Sequence, residues 1–350
     1  MDTEHILTPD DRILVTGSNG FIGSRVVQTL LDYGFRNLRC LVRPSSDLTR
    51  LNRVLEPARA TGNVELVTGD LISREDCERA AEGVAAVLHL AAGMDKSFAG
   101  AFMNSALGTR NLLDALLERG NLRRFVNVSS FAVYSNLSLE RGALLDENCA
   151  LETAPQERGD AYCFGKLKQE EIVRRYGRER GLPYVILRPG AVFGPGKKAV
   201  TGRVGIDTFG FFIHLGGTNQ IPFTYVDNCA EAIVLAALKA GIEGEAFNVV
   251  DDGLVTSSEF LRAYKQRTGG FFSLRIPYRI AAGVCDLWER YSTYSQGQLP
   301  PVFNRRRCAA EWKGNRFSNE KLRQRVGWTP RVKMGDALAA YLSQFENAAA

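Results

Sequence analysis

Thr16-Gly17-Ser18-Asn19-Gly20-Phe21-Ile22-Gly23 decides how the rest of this chain is read. It follows Ile13-Leu14-Val15, an apolar run short enough for a buried strand. It precedes Arg25-Val26-Val27-Gln28-Thr29-Leu30-Leu31, apolar at helical spacing and closed by Gly34. Strand, glycine-rich turn and helix together form the geometry that a dinucleotide diphosphate needs. Gly17 permits the tight turn, Gly20 lets the backbone approach the phosphates, and Gly23 lets helix and strand pack closely. The helix N-terminus supplies unpaired N–H donors. The spacing is GxxGxxG rather than GxGxxG, and a bare structural turn is the competing reading; the strand-helix context favours the cofactor.

The totals fit that reading. A chain of 350 residues suits one large α/β domain with an attached lobe. Its start is polar and acidic and carries no secretory pattern, and no stretch approaches the ~20 apolar residues of a membrane span. These features predict a cytoplasmic protein with no membrane partner. Seven scattered cysteines without a CxxC pair indicate neither a disulfide framework nor a zinc site, and three isolated histidines do not make a metal cluster. The net charge of +5 gives no case for nucleic acid.

Beyond the first helix, Leu38 to Arg43 reads as a second strand. The NAD fingerprint places an acid about 20 residues past the glycines to hold the ribose. Here Arg43 and Pro44 follow the strand, with Ser45 and Ser46 behind them. A guanidinium suits a 2′-phosphate, so the expected cofactor is NADP, with NAD as the alternative. Val64–Val67 is a third strand, followed by Gly69-Asp70-Leu71, where Asp70 either faces the adenine or caps the next helix. Ala86-Val87-Leu88-His89-Leu90 is a fourth strand that ends in Ala91-Ala92-Gly93, small residues beside which a flat cofactor can lie. His89, inside an apolar run, reads as a core histidine.

Residues 98–119 show a long helical pattern, and Phe125–Val128 a fifth strand that ends in Ser129-Ser130. Residues 140–160 read as a loop, Tyr162 opens a charged helix, and Pro183–Arg188 is a sixth strand leading into Pro189-Gly190-Ala191-Val192. Strands alternating with helices predict an α/β fold with a Rossmann-type doubly wound parallel sheet and a smaller, mostly C-terminal substrate lobe. The dinucleotide-binding domain is expected over 1–190 with 223–250, and the substrate lobe over 191–222 with 251–350.

Tyr162 and Lys166, four apart on a helix, share a face. A free tyrosine, with a pKa of about 10, is a poor base at neutral pH. A nearby ammonium favours its phenolate, so the sequence predicts a lowered Tyr162. Tyr162 would then exchange a proton with a substrate hydroxyl while hydride leaves or joins the same carbon. Lys166 would also hold the nicotinamide ribose, and Ser130 would bond the reacting oxygen.

With these residues in view, the chain resembles the extended short-chain dehydrogenases/reductases, which include the NAD-dependent epimerase/dehydratase proteins. The resemblance runs over nearly the whole length, from Thr16–Gly23 through His89-Leu90-Ala91-Ala92, Tyr162 with Lys166, and Arg188-Pro189-Gly190, to Gly327-Trp328-Thr329-Pro330. It implies that Tyr162, Lys166 and Ser130 are catalytic. It also implies that Gly17, Asn19, Gly20, Phe21, Ile22, Gly23, Asp70 and Leu71, with Leu90, Ala91 and Ala92, line the cofactor, while Val128, Pro189 and Val192 border the nicotinamide. Asn104 would support the site, and helices at about 98–119 and 162–180 would pair two copies into a homodimer.

Three departures limit what carries over. Phe131 and Ala132 stand where sugar dehydratases keep Asp and Glu, which speaks against dehydration. No arginine precedes Tyr225-Val226-Asp227 to grip a diphosphate. Arg43 replaces the NAD acid. Arg307, upstream of Lys321, is then the candidate phosphate-binding arginine. The first reading is an NAD(P)-dependent oxidoreductase or epimerase acting on a nucleotide-linked sugar. The second is a reductase or dehydrogenase of an apolar, sterol- or flavonoid-like alcohol, with Phe209, Phe211, Phe212 and Phe223 about its pocket, although such aromatics also read as core. The third, a silent dinucleotide sensor, is disfavoured because Tyr162 and Lys166 are both kept.

Overall fold

The structure is a computed structural model and describes residues 5–58, 63–93, 96–197, 201–208, 210–296, 298 and 303–345. Seven strands form the central sheet: β1 (Ile13–Thr16), β2 (Asn37–Val42), β3 (Asn63–Thr68), β4 (Ala86–His89), β5 (Arg124–Val128), β6 (Tyr184–Pro189) and β7 (Ala246–Val249). Their order is β7-β6-β5-β4-β1-β2-β3, and every neighbouring pair is parallel. The order reverses between β1 and β4, so a crevice opens beyond the carboxyl ends of those two strands. The expected doubly wound sheet is therefore present.

Alternation along the strands builds a core on each face of the sheet. Ile13 and Val15 point to one layer, with Val26, Val27 and Leu30 of α1 (Phe21–Asp32) and Ile233 and Ala237. Leu14 points to the other, with Leu112, Leu113 and Leu116 of α2 (Gly108–Arg119) and Val173 of α3 (Ala161–Arg180). Fully burying one such side chain contributes roughly 1.5–3 kcal/mol. Ile233 and Ala237 belong to α4 (Val226–Leu238).

Three segments depart from the expected elements. The helical pattern at 98–119 is broken by a π-helical stretch, Phe102–Leu107, which carries Asn104 into α2. Residues 140–160 contain a two-residue strand and the short helix Pro155–Arg158 as well as loop. The glycine-rich stretch after Lys197 contains a hairpin, Gly205–Thr208 with Phe211–His214, joined by Ser273–Arg275. Phe212, Phe223, Phe260 and Tyr341 share a core beside that sheet. Two further helices, α5 (Tyr278–Tyr294) and α6 (Arg305–Trp312), pack together through Ala281, Cys285, Cys308 and Trp312. Phe209, one of the aromatic residues named from sequence, lies outside the described residues.

Candidate active site

A cleft of about 720 Å³ opens at the carboxyl ends of the central strands. The glycine turn forms its floor. Gly17 adopts φ 68°, and a Cβ there would lie 3.0 Å from the Ala91 nitrogen. A Cβ on Gly23 would fall 2.0 Å from the Gly17 carbonyl oxygen, so helix and turn meet with no room for a side chain. Gly20 caps α1 and donates to the Gly17 carbonyl at 3.0 Å, and no side chain caps the helix. Its first N–H groups therefore face the cleft as an anion site. This backbone-lined concavity fits a diphosphate.

Leu90, Ala92, Val128, Pro189 and Val192 line the cleft, together with Gly17, Gly20, Phe21, Ile22 and Gly23. Ala91 sits behind the wall, its nitrogen donating to Thr16 Oγ1 at 3.2 Å. Asn19 donates from Nδ2 to the Asp47 carbonyl at 3.3 Å. Two cations that sequence reasoning missed, Arg50 and Lys197, also line the cleft and stand 5.7 and 5.8 Å from the centroid of the Phe21 ring. Arg50 is held by the Gly196 carbonyl at 2.8 Å, and Lys197 by the Val192 carbonyl at 2.7 Å. Both are assembled by contacts between distant segments and carry no local motif.

Other named residues stand outside this wall. Arg43 lies exposed just past β2, with Nη2 3.5 Å from Asn104 Oδ1, and Ser46 Oγ accepts from its backbone nitrogen at 3.0 Å. Asp70 accepts from the Ile72 nitrogen at 3.0 Å, closing a local turn, while Leu71 is buried in the core. Arg307 lies on α6, where its nitrogen donates to Asn304 Oδ1 at 2.8 Å, and it does not line the cleft. Of the apolar-pocket candidates, Phe223 reaches the cleft wall, joined there by Phe260 and Tyr341, and Phe211 does not.

Tyr162, Lys166 and Ser130 come together. Asp160 caps α3 by accepting from the Cys163 nitrogen at 2.9 Å, and Tyr162 and Lys166 then face the cleft from the helix's first two turns. Ser130 begins the turn after β5, its Oγ accepting from the Ala132 nitrogen at 3.1 Å, and it lines the cleft beside Tyr162. Desolvation raises the Tyr162 pKa, and the Ser130 hydroxyl only partly opposes it. This corrects the lowered phenol expected from sequence. The Lys166 ammonium donates instead to the Val128 carbonyl at 2.6 Å and to Gln169 Oε1 at 3.0 Å. Burial pulls Lys166 down to about 7, against the pull of Glu170.

Gln169 was not singled out by any pattern, yet it orients this lysine. Its Nε2 donates to the Ala91 carbonyl at 3.2 Å and to Thr109 Oγ1 at 2.9 Å, which turns its oxygen toward Lys166. Thr109 gives its own proton to the Ser105 carbonyl at 2.6 Å. His89 Nε2 lies 2.8 Å from Thr109 Oγ1 and 3.0 Å from Gln169 Nε2, and its Nδ1 lies 2.8 Å from Thr16 Oγ1, so both ring nitrogens have polar partners. His89 is fully buried, and desolvation, then the Lys166 charge, lower it to about 3. It is a neutral, satisfied core histidine, as expected.

Behind α3, Arg188 grips Glu170 with two bonds, 2.9 Å from Nε and 2.7 Å from Nη2. Burial alone would raise Glu170, but the Arg188 bonds outweigh it and hold the carboxyl below its ordinary value. Arg188 Nη1 also donates to Tyr134 Oη at 2.9 Å, and Tyr134 donates to Asn248 Oδ1 at 2.7 Å. One buried chain thus ties α3 to β6 and β7.

The profile of the NAD dependent epimerase/dehydratase family matches residues 13–249. Sterol demethylase protein B of Methylococcus capsulatus is 30% identical over 339 residues, covering 93% of this chain and 97% of that protein. The trifunctional UDP-glucose 4,6-dehydratase/UDP-4-keto-6-deoxy-D-glucose 3,5-epimerase/UDP-4-keto-L-rhamnose-reductase of Arabidopsis thaliana is 30% identical over 255 residues. That match covers 68% of this chain, which spans only 36% of the plant protein's length. Among solved structures, the UDP-glucuronic acid 4-epimerase of Bacillus cereus, in complex with UDP-glucuronic acid and NAD, superposes with a TM-score of 0.71 at 21% identity. It covers 96% of this chain and 99% of that one, and shares its fold.

Proposed function

This chain belongs to the NAD dependent epimerase/dehydratase family of enzymes, and we propose that it transfers hydride at a secondary alcohol or ketone carbon, with Tyr162 moving the accompanying proton. The observation that carries this is the meeting of Tyr162, Ser130 and Lys166 at the mouth of a cleft floored by the glycine turn. A bound nicotinamide dinucleotide supplies the hydride acceptor or donor. Gly17, Gly20 and the α1 N-terminus would hold its diphosphate, flanked by Arg50 and Lys197; Leu90, Ala92, Val128, Pro189 and Val192 would border the rings. In the reducing direction the Tyr162 phenol, kept protonated by burial, gives its proton to the carbonyl oxygen, and in the oxidising direction the Tyr162 phenolate takes the hydroxyl proton. Ser130 would hold the reacting oxygen in place, and Lys166, in the same cleft wall, would hold the nicotinamide ribose. NADP is the preferred form on this reading, supported by Arg43 past β2 and by the absence of an acid there.

A nucleotide-linked sugar is the first substrate class, supported by the plant relative and by the fold shared with the UDP-glucuronic acid epimerase. Residues 191–222 with 251–350 would form the substrate lobe, and Arg307 is its candidate diphosphate contact. A second reading, an apolar ring alcohol, is favoured by a specific observation: Phe223, Phe260 and Tyr341 line the cleft, whereas Arg307 does not. The Methylococcus relative, matched along nearly its whole length, carries a sterol name. Thermal unfolding with NADP present, against UDP-sugars and against sterols, separates the two, because only a ligand of the native state raises the midpoint. Stabilisation by a UDP-sugar that Arg307→Ala weakens supports the first; stabilisation by sterols alone supports the second. Turnover of neither class by a protein that binds dinucleotide would refute both.

We also assign a cytoplasmic location and a homodimer built through residues 98–119 and α3. Phe102 and Met103, 43% and 39% exposed on that first segment, supply apolar surface for a second copy.

A further inference from the structure

We propose that the exposed face of α5 docks this protein on an anionic lipid surface. One side of α5 is spent on the lobe, with Ala281, Cys285 and Ser292 buried. On the opposite side Ile280, Val284, Leu287, Tyr291 and Tyr294 are 58, 56, 68, 55 and 85% exposed. Their steps of four, three, four and three keep all five within about 80° of the helix circumference, at about 100° per residue, over a length of about 21 Å. Single exposed apolar residues are ordinary on any protein, whereas a continuous stripe marks a surface that meets something. Phe272 and Leu274, immediately upstream in the chain, are 72% and 50% exposed.

Charge selects the occupant. Between residues 262 and 313 the chain carries ten Lys and Arg against three Asp and Glu, a balance of +7, whereas the whole chain balances at +5. The positive charge of this protein is therefore concentrated in the segment that contains the stripe, and the remainder is acidic on balance. Arg279 stands on α5 about a quarter turn from the centre of the stripe, exposed, where its long side chain can reach headgroups while the stripe enters the acyl boundary. The acids nearby are already engaged: Asp286 pairs with Arg290 at 2.9 Å and Arg305 at 3.7 Å, and Glu289 accepts from the Arg305 nitrogen at 3.1 Å. Glu311, on α6, is the third. Two tyrosines at the end of the stripe match the amphipathic character of an interface. A second copy of the chain would bring like charge against like charge at this face; an anionic bilayer brings the opposite sign.

Among the described residues no helix is long and apolar enough to cross a membrane. The absence of a spanning segment, from which the sequence reading excluded a membrane partner, does not bear on a helix lying in the surface plane. The proposal is independent of the substrate readings above.

The test is co-sedimentation of the full chain with phosphatidylcholine vesicles, with and without phosphatidylglycerol. Binding is expected with phosphatidylglycerol, at least about tenfold weaker without it, and released by high salt. Leu287→Glu should abolish it, while melting temperature, NADPH binding and lipid-free mass by light scattering stay unchanged. If that variant fails to fold, Arg279→Gln serves instead, expected to weaken anionic-vesicle binding about fivefold. No sedimentation, equal binding to both lipids, or undiminished binding by the folded variants overturns the proposal. A fall in the lipid-free mass of Leu287→Glu overturns it too, by assigning the face to another copy of the chain.

Discussion

Replacing Gln169 with Leu tests whether the amide sets the charge of Lys166. Gln169 Oε1 accepts from the Lys166 ammonium at 3.0 Å inside the protein. A hydrogen bond to a charged group is worth about 1.5–3 kcal/mol. At 1.36 kcal/mol per pKa unit, its loss lowers Lys166 by about one to two units. Lys166 starts from about 7, so near neutrality about half of it is charged. In Gln169→Leu the charged fraction at that pH falls to roughly one-tenth to one-hundredth. A function that needs the ammonium falls about 5- to 50-fold near pH 7 and recovers as the pH is lowered by the same one to two units. Gln169→Glu places a carboxylate beside the ammonium and moves the profile the other way. NADPH affinity followed by fluorescence across pH reads this without a known substrate, and the profile of hydride transfer reads it again once a substrate is found. Superimposable pH profiles for the unsubstituted protein and both variants would refute the reasoning. Loss of packing alone lowers the melting temperature without moving the profile.

Tyr162→Phe should lower turnover about 10²–10⁴-fold while NADP binding stays nearly intact, measured by steady-state rates and titration; turnover within a few-fold of the original removes Tyr162 from the proton path. Lys166→Met should show a pH-dependent gain in thermal stability. The folded pKa lies below the free value of 10.5, so between about 7 and 10.5 the unfolded chain binds a proton that the folded chain lacks, and stability from this group rises with pH across that window. The variant's advantage is therefore greatest below about pH 7 and shrinks toward pH 10; a constant difference would show that Lys166 is not desolvated. The protein should bind NADPH more tightly than NADH, and Arg43→Asp should narrow or reverse the ratio. Equal affinities in the unsubstituted protein would leave Arg43 without a role in selecting the phosphate.

The sheet and the meeting of Tyr162, Lys166 and Ser130 in one cleft were legible because their signals are local. Ile13 to Val15 and Phe125 to Val128 are short apolar runs that end in small or hydroxyl residues. Tyr162 and Lys166 need only one helix to share a face. Arg50 and Lys197 were not legible, since they stand 147 residues apart and meet only because both reach Phe21. Gln169 looked like one more polar residue on a charged helix, and its role exists only because β4 carries His89 and Ala91 to it. The sign of the Tyr162 shift depends on where the lysine's ammonium goes, and spacing does not report that the Val128 carbonyl accepts it. The hairpin after Lys197 was hidden by glycines that weaken the strand pattern.

The chain from Arg188 through Tyr134 to Asn248 also sets an order of events during synthesis. Glu170 and Arg188 emerge from a ribosome within 18 residues of each other and can pair as soon as β6 docks. The acceptor for Tyr134 arrives about 60 residues later, with β7 at the sheet edge, and the Phe260 and Tyr341 parts of the cleft wall come later still. A nascent chain therefore possesses its glycine turn, Ser130, Tyr162 and Lys166 well before it possesses a closed wall around them. During that interval the half-built cleft is open to solvent along one side, so the glycine-turn floor precedes the Phe260 and Tyr341 wall in time as well as in sequence.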